Sequence, residues 1–130
     1  MSWAAEYGRS EVVQLLLTAH AEVDSKDRYG RTPLSWAARN GHSEVLQLLL
    51  AAHAEVDSKN HYGQTPLSRA SKYGCLEVTQ LLLAAHAAID GQDDEGKTPI
   101  TWATVTNHLE IRDLLEQEVV RRLTVEVGRS

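Results

Sequence analysis

Histidines at a fixed interval, one cysteine and a register of glutamates are the residues of this chain equipped for chemistry. His20, His53 and His86 recur every 33 residues, which raises metal binding first. If that interval is one structural unit, equivalent atoms in stacked units lie roughly 9–10 Å apart, as packed helices do. Zinc holds a nitrogen at about 2.0–2.1 Å, so such ligands would have to converge from outside that reach, and no metal site is expected. A plainer role is the left-handed turn at a helix C-terminus, which His tolerates better than most residues. A protonated ring there also meets the negative end of the helix dipole. Cys75 falls near a helix start, where a thiol can be activated; the competing reading is a small buried filler. Ser35 and Ser68 have no histidine in helix register to make them nucleophiles. Gly91 and Gly96 belong to turns and form no phosphate-cradling loop. Glu11, Glu44, Glu77 and Glu110 occupy one column at helix starts, and a catalytic pair would need a pocket. The residues predict no catalytic group, no metal and no cofactor.

The elements that place these residues follow from the repeat. Gly-Arg-Thr-Pro-Leu-Ser-Trp-Ala-Ala from Gly30 returns from Gly63 and again from Gly96 with few changes. A unit this short cannot bury a core alone and must lean on its neighbours. The units run 1–26 (partial), 27–59, 60–92 and 93–123, with 124–130 expected as a tail. In the second unit Asp27 to Gly30 is turn chemistry. Thr32 then reads as a helix cap with Pro33 at the first helical position. That helix stops at Gly41. A second helix opens at Ser43 and Glu44, carries Val45, Leu46, Leu48, Leu49 and Leu50, and ends near His53. An extended return leads to the next turn.

Turn, helix, tight turn, helix and return, with Thr-Pro-Leu and Gly-His-x-Glu-Val-x-x-Leu-Leu-Leu, resembles the ankyrin repeat over the chain to about Val120. The wording Thr-Pro-Leu-Ser-Trp-Ala-Ala and Val-Asp-Ser-Lys-Asp is similar to arrays at the C-terminal ends of fungal NACHT-type and NLR-like receptors. The resemblance implies an all-α solenoid of stacked helix-turn-helix units with projecting β-turn fingers, about 3.5–4 repeats. It also implies a structural role for His42 and His108 at second-helix starts. The family often has His after Thr-Pro-Leu, tying neighbouring turns; Ser35, Ser68 and Thr101 stand there, so that link is not carried over. His20, His53 and His86 replace a glycine usual in the family. In the last unit Glu116 replaces Leu17, Leu50 and Leu83, and Arg112 replaces Val13, Leu46 and Thr79, the polar outer side of a capping repeat. Val119, Val120 and Leu123 should add a turn before the tail frays. At the other end Ala4, Val12, Leu15 and Leu16 should face solvent on an uncapped edge, as in a piece of a longer array.

Family partner contacts come mainly from the fingers and the exposed side of the first helix. Carried over, those positions are Arg28, Tyr29, Arg31, Trp36, Arg39 and Asn40, then His61, Tyr62, Gln64, Arg69, Lys72 and Tyr73, then Trp102. With Lys59 and Gln92 added, units 27–59 and 60–92 differ at 6 of 7 of these pairs but at only 8 of the other 26. The copies diverge where binding is expected. Trp36, Arg39 and Asn40 share one helix face by spacing, as do Arg69, Lys72 and Tyr73, and the Trp column has two open readings, recognition or packing between adjacent helices. Tyr, Trp and Arg dominate interface hot spots. The surface gathers Lys26, Arg28, Arg31, Arg39, Lys59, Arg69, Lys72 and Lys97 against Glu6, Asp94 and Glu95, on a molecule of net charge −5.

A basic, aromatic concave groove on an acidic body favours a protein partner with an acidic patch. The net charge argues against nucleic acid. Apolar runs such as Leu81 to Ala85 are too short to span a bilayer, no leader is expected, and a lone cysteine fits the cytoplasm. The expected function is therefore non-catalytic protein recognition. Two rivals are a homo-oligomer formed through the uncapped N-terminal edge, and a small-molecule binder or atypical enzyme using the Trp and His surface.

Overall fold

The computed structural model describes residues 1–128, with side chains to Val125; Arg129 and Ser130 lie outside the described residues. Among the described residues there are helices and turns but no strands. The helices come in pairs: α1 (Ser2–Glu6) with α2 (Ser10–Thr18), α3 (Pro33–Asn40) with α4 (Ser43–Ala51), α5 (Pro66–Tyr73) with α6 (Leu76–Ala84), and α7 (Pro99–Val105) with α8 (Leu109–Gly128). First helices pack side by side in one row, and second helices form a parallel row behind it. The fold is a stack of helix pairs with projecting turns.

Local chemistry sets the helix ends. Thr32, Thr65 and Thr98 sit in extended backbone, and each hydroxyl accepts the N–H three residues on, at 3.2, 3.2 and 3.3 Å. Proline follows at the first helical position. Ser68 completes a reciprocal cap, its hydroxyl taking the Thr65 N–H at 2.9 Å. Gly41 and Gly74 close α3 and α5 in left-handed backbone, φ 72° and 78°. A side chain at Gly74 would also meet the His108 ring at 2.5 Å, so two constraints select glycine there.

The periodic histidines stand where the residue-level reading put them. His20, His53 and His86 have φ of 63°, 67° and 64°, just past the ends of α2, α4 and α6. The same column in the last unit holds Val119. A β-branched residue strongly resists positive φ, and α8 runs on to Gly128 instead of stopping. The segment from residue 124, expected as a tail, is thus helical as far as it is described. Arg122 ties this extension down by donating to the Ala87 carbonyl at 2.9 Å.

Packing follows the columns. Ala4, Ala37, Ala70 and Ala103 are buried and let adjacent first helices approach closely. Ala4 is therefore a correction: it faces the α3 row and not solvent. Val45, Val78 and Ile111, with Leu49, Leu82 and Leu115, fill the space between rows. Each fully buried aliphatic side chain contributes about 1.5–3 kcal/mol. Val12 and Leu15 are exposed on the outer side of α2, while Leu16 is half-buried against the core. Glu116 is exposed where Leu83 is buried.

Candidate functional site

Each finger is organised by one Asx residue. Asp27 Oδ1 accepts the N–H groups of Tyr29 and Arg31 at 2.9 and 3.0 Å. Asn60 does the same for Tyr62 and Gln64, and Asp93 for Glu95 and Lys97. Neighbouring fingers are joined by backbone bonds, His61 N–H to the Tyr29 carbonyl at 2.9 Å and Asp94 N–H to the Tyr62 carbonyl at 3.0 Å. The remaining carboxylate oxygen reaches the first helix. Trp102 Nε1 donates to Asp93 Oδ2 at 2.7 Å, and Trp36 Nε1 lies 3.4 Å from Asp27 Oδ2, which Arg31 also engages at 2.8 Å. These links were missed in the sequence, although Asp and Trp share a nine-residue interval in both units while Asn60 and Arg69 replace them together.

Cations and rings alternate across the face. Arg31 lies over Tyr29 at 4.6 Å and over Trp36 at 4.3 Å. Arg39 bridges Trp36 and Tyr73 at 5.9 and 4.5 Å. Lys72 bridges Tyr73 and Trp102 at 5.5 and 4.5 Å, and Lys97 also lies over Trp102 at 4.9 Å. Such contacts are worth about 0.5–1 kcal/mol each when exposed and more when desolvated. They restrain long side chains beside the rings, adding to the Asp27 and Asp93 bonds that hold the two indoles.

Exposure sorts the expected contact residues. Arg28, Tyr29, His61, Tyr62 and Tyr73 are exposed; Arg31, Trp36, Arg39, Asn40, Gln64 and Lys72 are half-buried. Arg69 and Trp102 are buried, at 8% and 7% exposure, so neither is the surface anchor that spacing suggested. Trp102 is drawn down by the Asp93 bond, and Arg69 lies between Trp36 and Tyr73, 5.9 Å from each ring. Asn40 and His61 serve packing as well as surface. Asn40 Nδ2 donates to the Glu6 carbonyl at 2.9 Å, and the His61 ring lies against Gly30.

Electrostatics mark the centre of the face. Burial pushes the Arg69 guanidinium below its usual range; Tyr73 and Asp27 oppose that push, while Arg39 and Arg31 add to it. At Tyr73 burial works upward, but Arg39, Lys72 and Arg69 prevail and hold the phenol below its ordinary value. Cys75, by contrast, is pushed up by burial, and its thiol donates to the Arg39 carbonyl at 3.6 Å. It is a packed filler. In its column His42 bonds the Glu6 carbonyl at 2.9 Å, and His108 the Ser71 carbonyl at 3.2 Å. Each residue of this column pins its unit to the one before.

Among the described residues no group of three His, Cys, Asp or Glu side chains converges, and no helix is long and apolar enough to cross a membrane. The sequence matches the family described as ankyrin repeats (3 copies) over residues 1–93 and again over 52–122. No curated protein matches the chain.

Proposed function

The chain belongs to the ankyrin-repeat family, and on that premise we propose that it recognises a partner protein through its fingers and first-helix row, performing no chemistry itself. Ankyrin repeats are generally protein–protein interaction modules. The observation that supports this face is the alternation of cations and rings from Tyr29 to Lys97, with Tyr29, Tyr62 and Tyr73 exposed along it. Rigid aromatics beside arginines lose little freedom on binding and are the usual hot-spot chemistry. Arg28, Arg39 and Lys72 make no ion pair among the described residues, so the partner is one with acidic residues. Similarity of the Thr-Pro-Leu-Ser-Trp wording to fungal NACHT-type arrays supports a sensing role in a larger assembly. A photo-crosslinking side chain at Tyr62 should capture the partner, while the same group at Glu44, exposed on α4, should not. Capture at Glu44 alone overturns the proposal.

A second reading has its own observation. Leu15, Trp3, Tyr7 and Val12 are 70%, 60%, 56% and 38% exposed on α2, on α1 and at the end of α1, an apolar edge suited to a second copy. Light scattering over a concentration series separates the two, because a chain that stays monomeric leaves the edge without a role in self-assembly.

A further inference from the structure

The middle repeat departs from its neighbours at two linked positions. Asp27 with Trp36, and Asp93 with Trp102, are carboxylate–indole pairs; unit 60–92 carries Asn60 and Arg69 in those places. That exchange removes a carboxylate and adds a cation at the same spot. Asn60 gives its amide to Gln64 Oε1 at 3.0 Å, and the same oxygen receives Arg69 Nη1 only at 3.4 Å. Arg69 Nε is buried without a hydrogen-bond partner, and no carboxylate pairs with this guanidinium among the described residues. A desolvated charge without a counterion is expensive to keep. Its surroundings add to the charge: Arg39 and Lys72 lie over the same Tyr73 ring and are themselves unpaired. Asp27, whose charge also reaches Arg69, is already engaged by Arg31 and Trp36.

We infer that Arg39, Lys72 and Tyr73, over the buried charge of Arg69, form a socket for a carboxylate side chain of an acidic peptide segment. The inference rests on the face proposed above and names what enters its centre. The entering carboxylate supplies the counterion that Asn60 removed. Arg39 Cζ lies 4.5 Å from the Tyr73 ring centre and 5.9 Å from that of Trp36, and Arg69 Cζ lies 5.9 Å from each, so both guanidiniums border the same two rings. The planar donor fork of a guanidinium matches a flat acceptor with two oxygens in one plane, which is a carboxylate.

The test titrates the whole isotopically labelled chain with a capped oligoglutamate peptide at low salt. Affinity and the arginine Nε–H resonances are read together, with a capped phosphoserine peptide and inorganic phosphate as parallel probes. The expected result is a joint shift of the Arg39 and Arg69 resonances. Arg69→Met should weaken oligoglutamate binding about tenfold or more, with an unchanged or higher melting temperature. Lys72→Met, at a half-exposed position, should weaken it too and guards against a folding artefact. Equal binding by wild type and both variants overturns the socket yet leaves the Tyr62 crosslinking result standing. Tighter, Arg69-dependent binding of phosphate or phosphoserine overturns the carboxylate assignment. Absence of oligoglutamate binding to the wild type overturns the inference outright.

Discussion

Trp102 and Trp36 occupy one column but do different work, and the difference lies in a single hydrogen bond. Trp102 reaches Asp93 at 2.7 Å from a buried position, whereas Trp36 is half-buried and 3.4 Å from an Asp27 that Arg31 already satisfies. Removing one partner of a buried bond leaves the other unsatisfied, at about 1–3 kcal/mol. Trp102→Phe should therefore lower stability by about 1–3 kcal/mol and Trp36→Phe by less than about 1 kcal/mol in denaturant melts. Equal losses would remove the distinction. At Asp93 burial works to raise the pKa, while the Lys97 N–H, the Trp102 indole and the Glu95 N–H together hold it below the usual value. A depressed carboxylate stabilises above its unfolded pKa and loses that contribution as pH falls through its folded one. The gap between wild type and Trp102→Phe should accordingly narrow on acidification. Arg69 has the opposite sign, since replacing a buried charge by a flexible apolar side chain is often neutral or favourable. Arg69→Met should hold or raise the melting temperature.

Among the elements, turns of similar backbone differ in how tightly they are packed. Gly74 has φ 78° and lies against the His108 ring, whereas Gly96 has φ 75° with open space around it. Gly96→Ala carries only the left-handed penalty, about 1–2 kcal/mol. Gly74→Ala adds a clash with a ring that bonds the Ser71 carbonyl, so its loss should be clearly larger in a paired thermal melt. The last helix makes a second case. Arg121 and Arg122 bracket Glu118 one turn away; the Arg121 hydrogen bond leads in holding its carboxyl at about 2, against 4.5 ordinarily. Glu118→Gln should destabilise the chain above about pH 4.5. The penalty should fade as acid titrates the wild type through about 2, checked by melts across that range. Elements were legible in the sequence because each boundary has its own chemistry: Thr-Pro opens, Gly closes, His turns. The length of α8 was not, because it depends on Val119 failing to do what His86 does, together with the distant Ala87 carbonyl that receives Arg122.

For the whole molecule, charge is sorted rather than balanced. A net charge of −5 coexists with a face on which Arg28, Arg39, Arg69 and Lys72 find no carboxylate among the described residues. The location of that face could be read from columns that differ between copies, since spacing alone puts Trp36, Arg39 and Asn40 on one side of α3. The depth of each residue could not, because it is set by partners outside the helix. Asp93 draws Trp102 down and the rings of Trp36 and Tyr73 enclose Arg69, and neither arrangement is written in helical periodicity. Crowded like charges make a prediction that needs no partner. Burial leads the downward push on Arg69, and Arg39 and Arg31 add to it; the repulsive part opposes the folded state and is screened by salt over about 10 Å at 0.1 M. Raising sodium chloride from low concentration should increase the melting temperature, and Arg39→Gln should both raise it at low salt and flatten the salt response. Arg112→Gln, removing a cation already paired with Asp113 at 2.9 Å on α8, should do neither. Identical salt curves for wild type and Arg39→Gln would mean that the face carries no stored repulsion, and the physical reason for it to draw in an anionic segment would be gone.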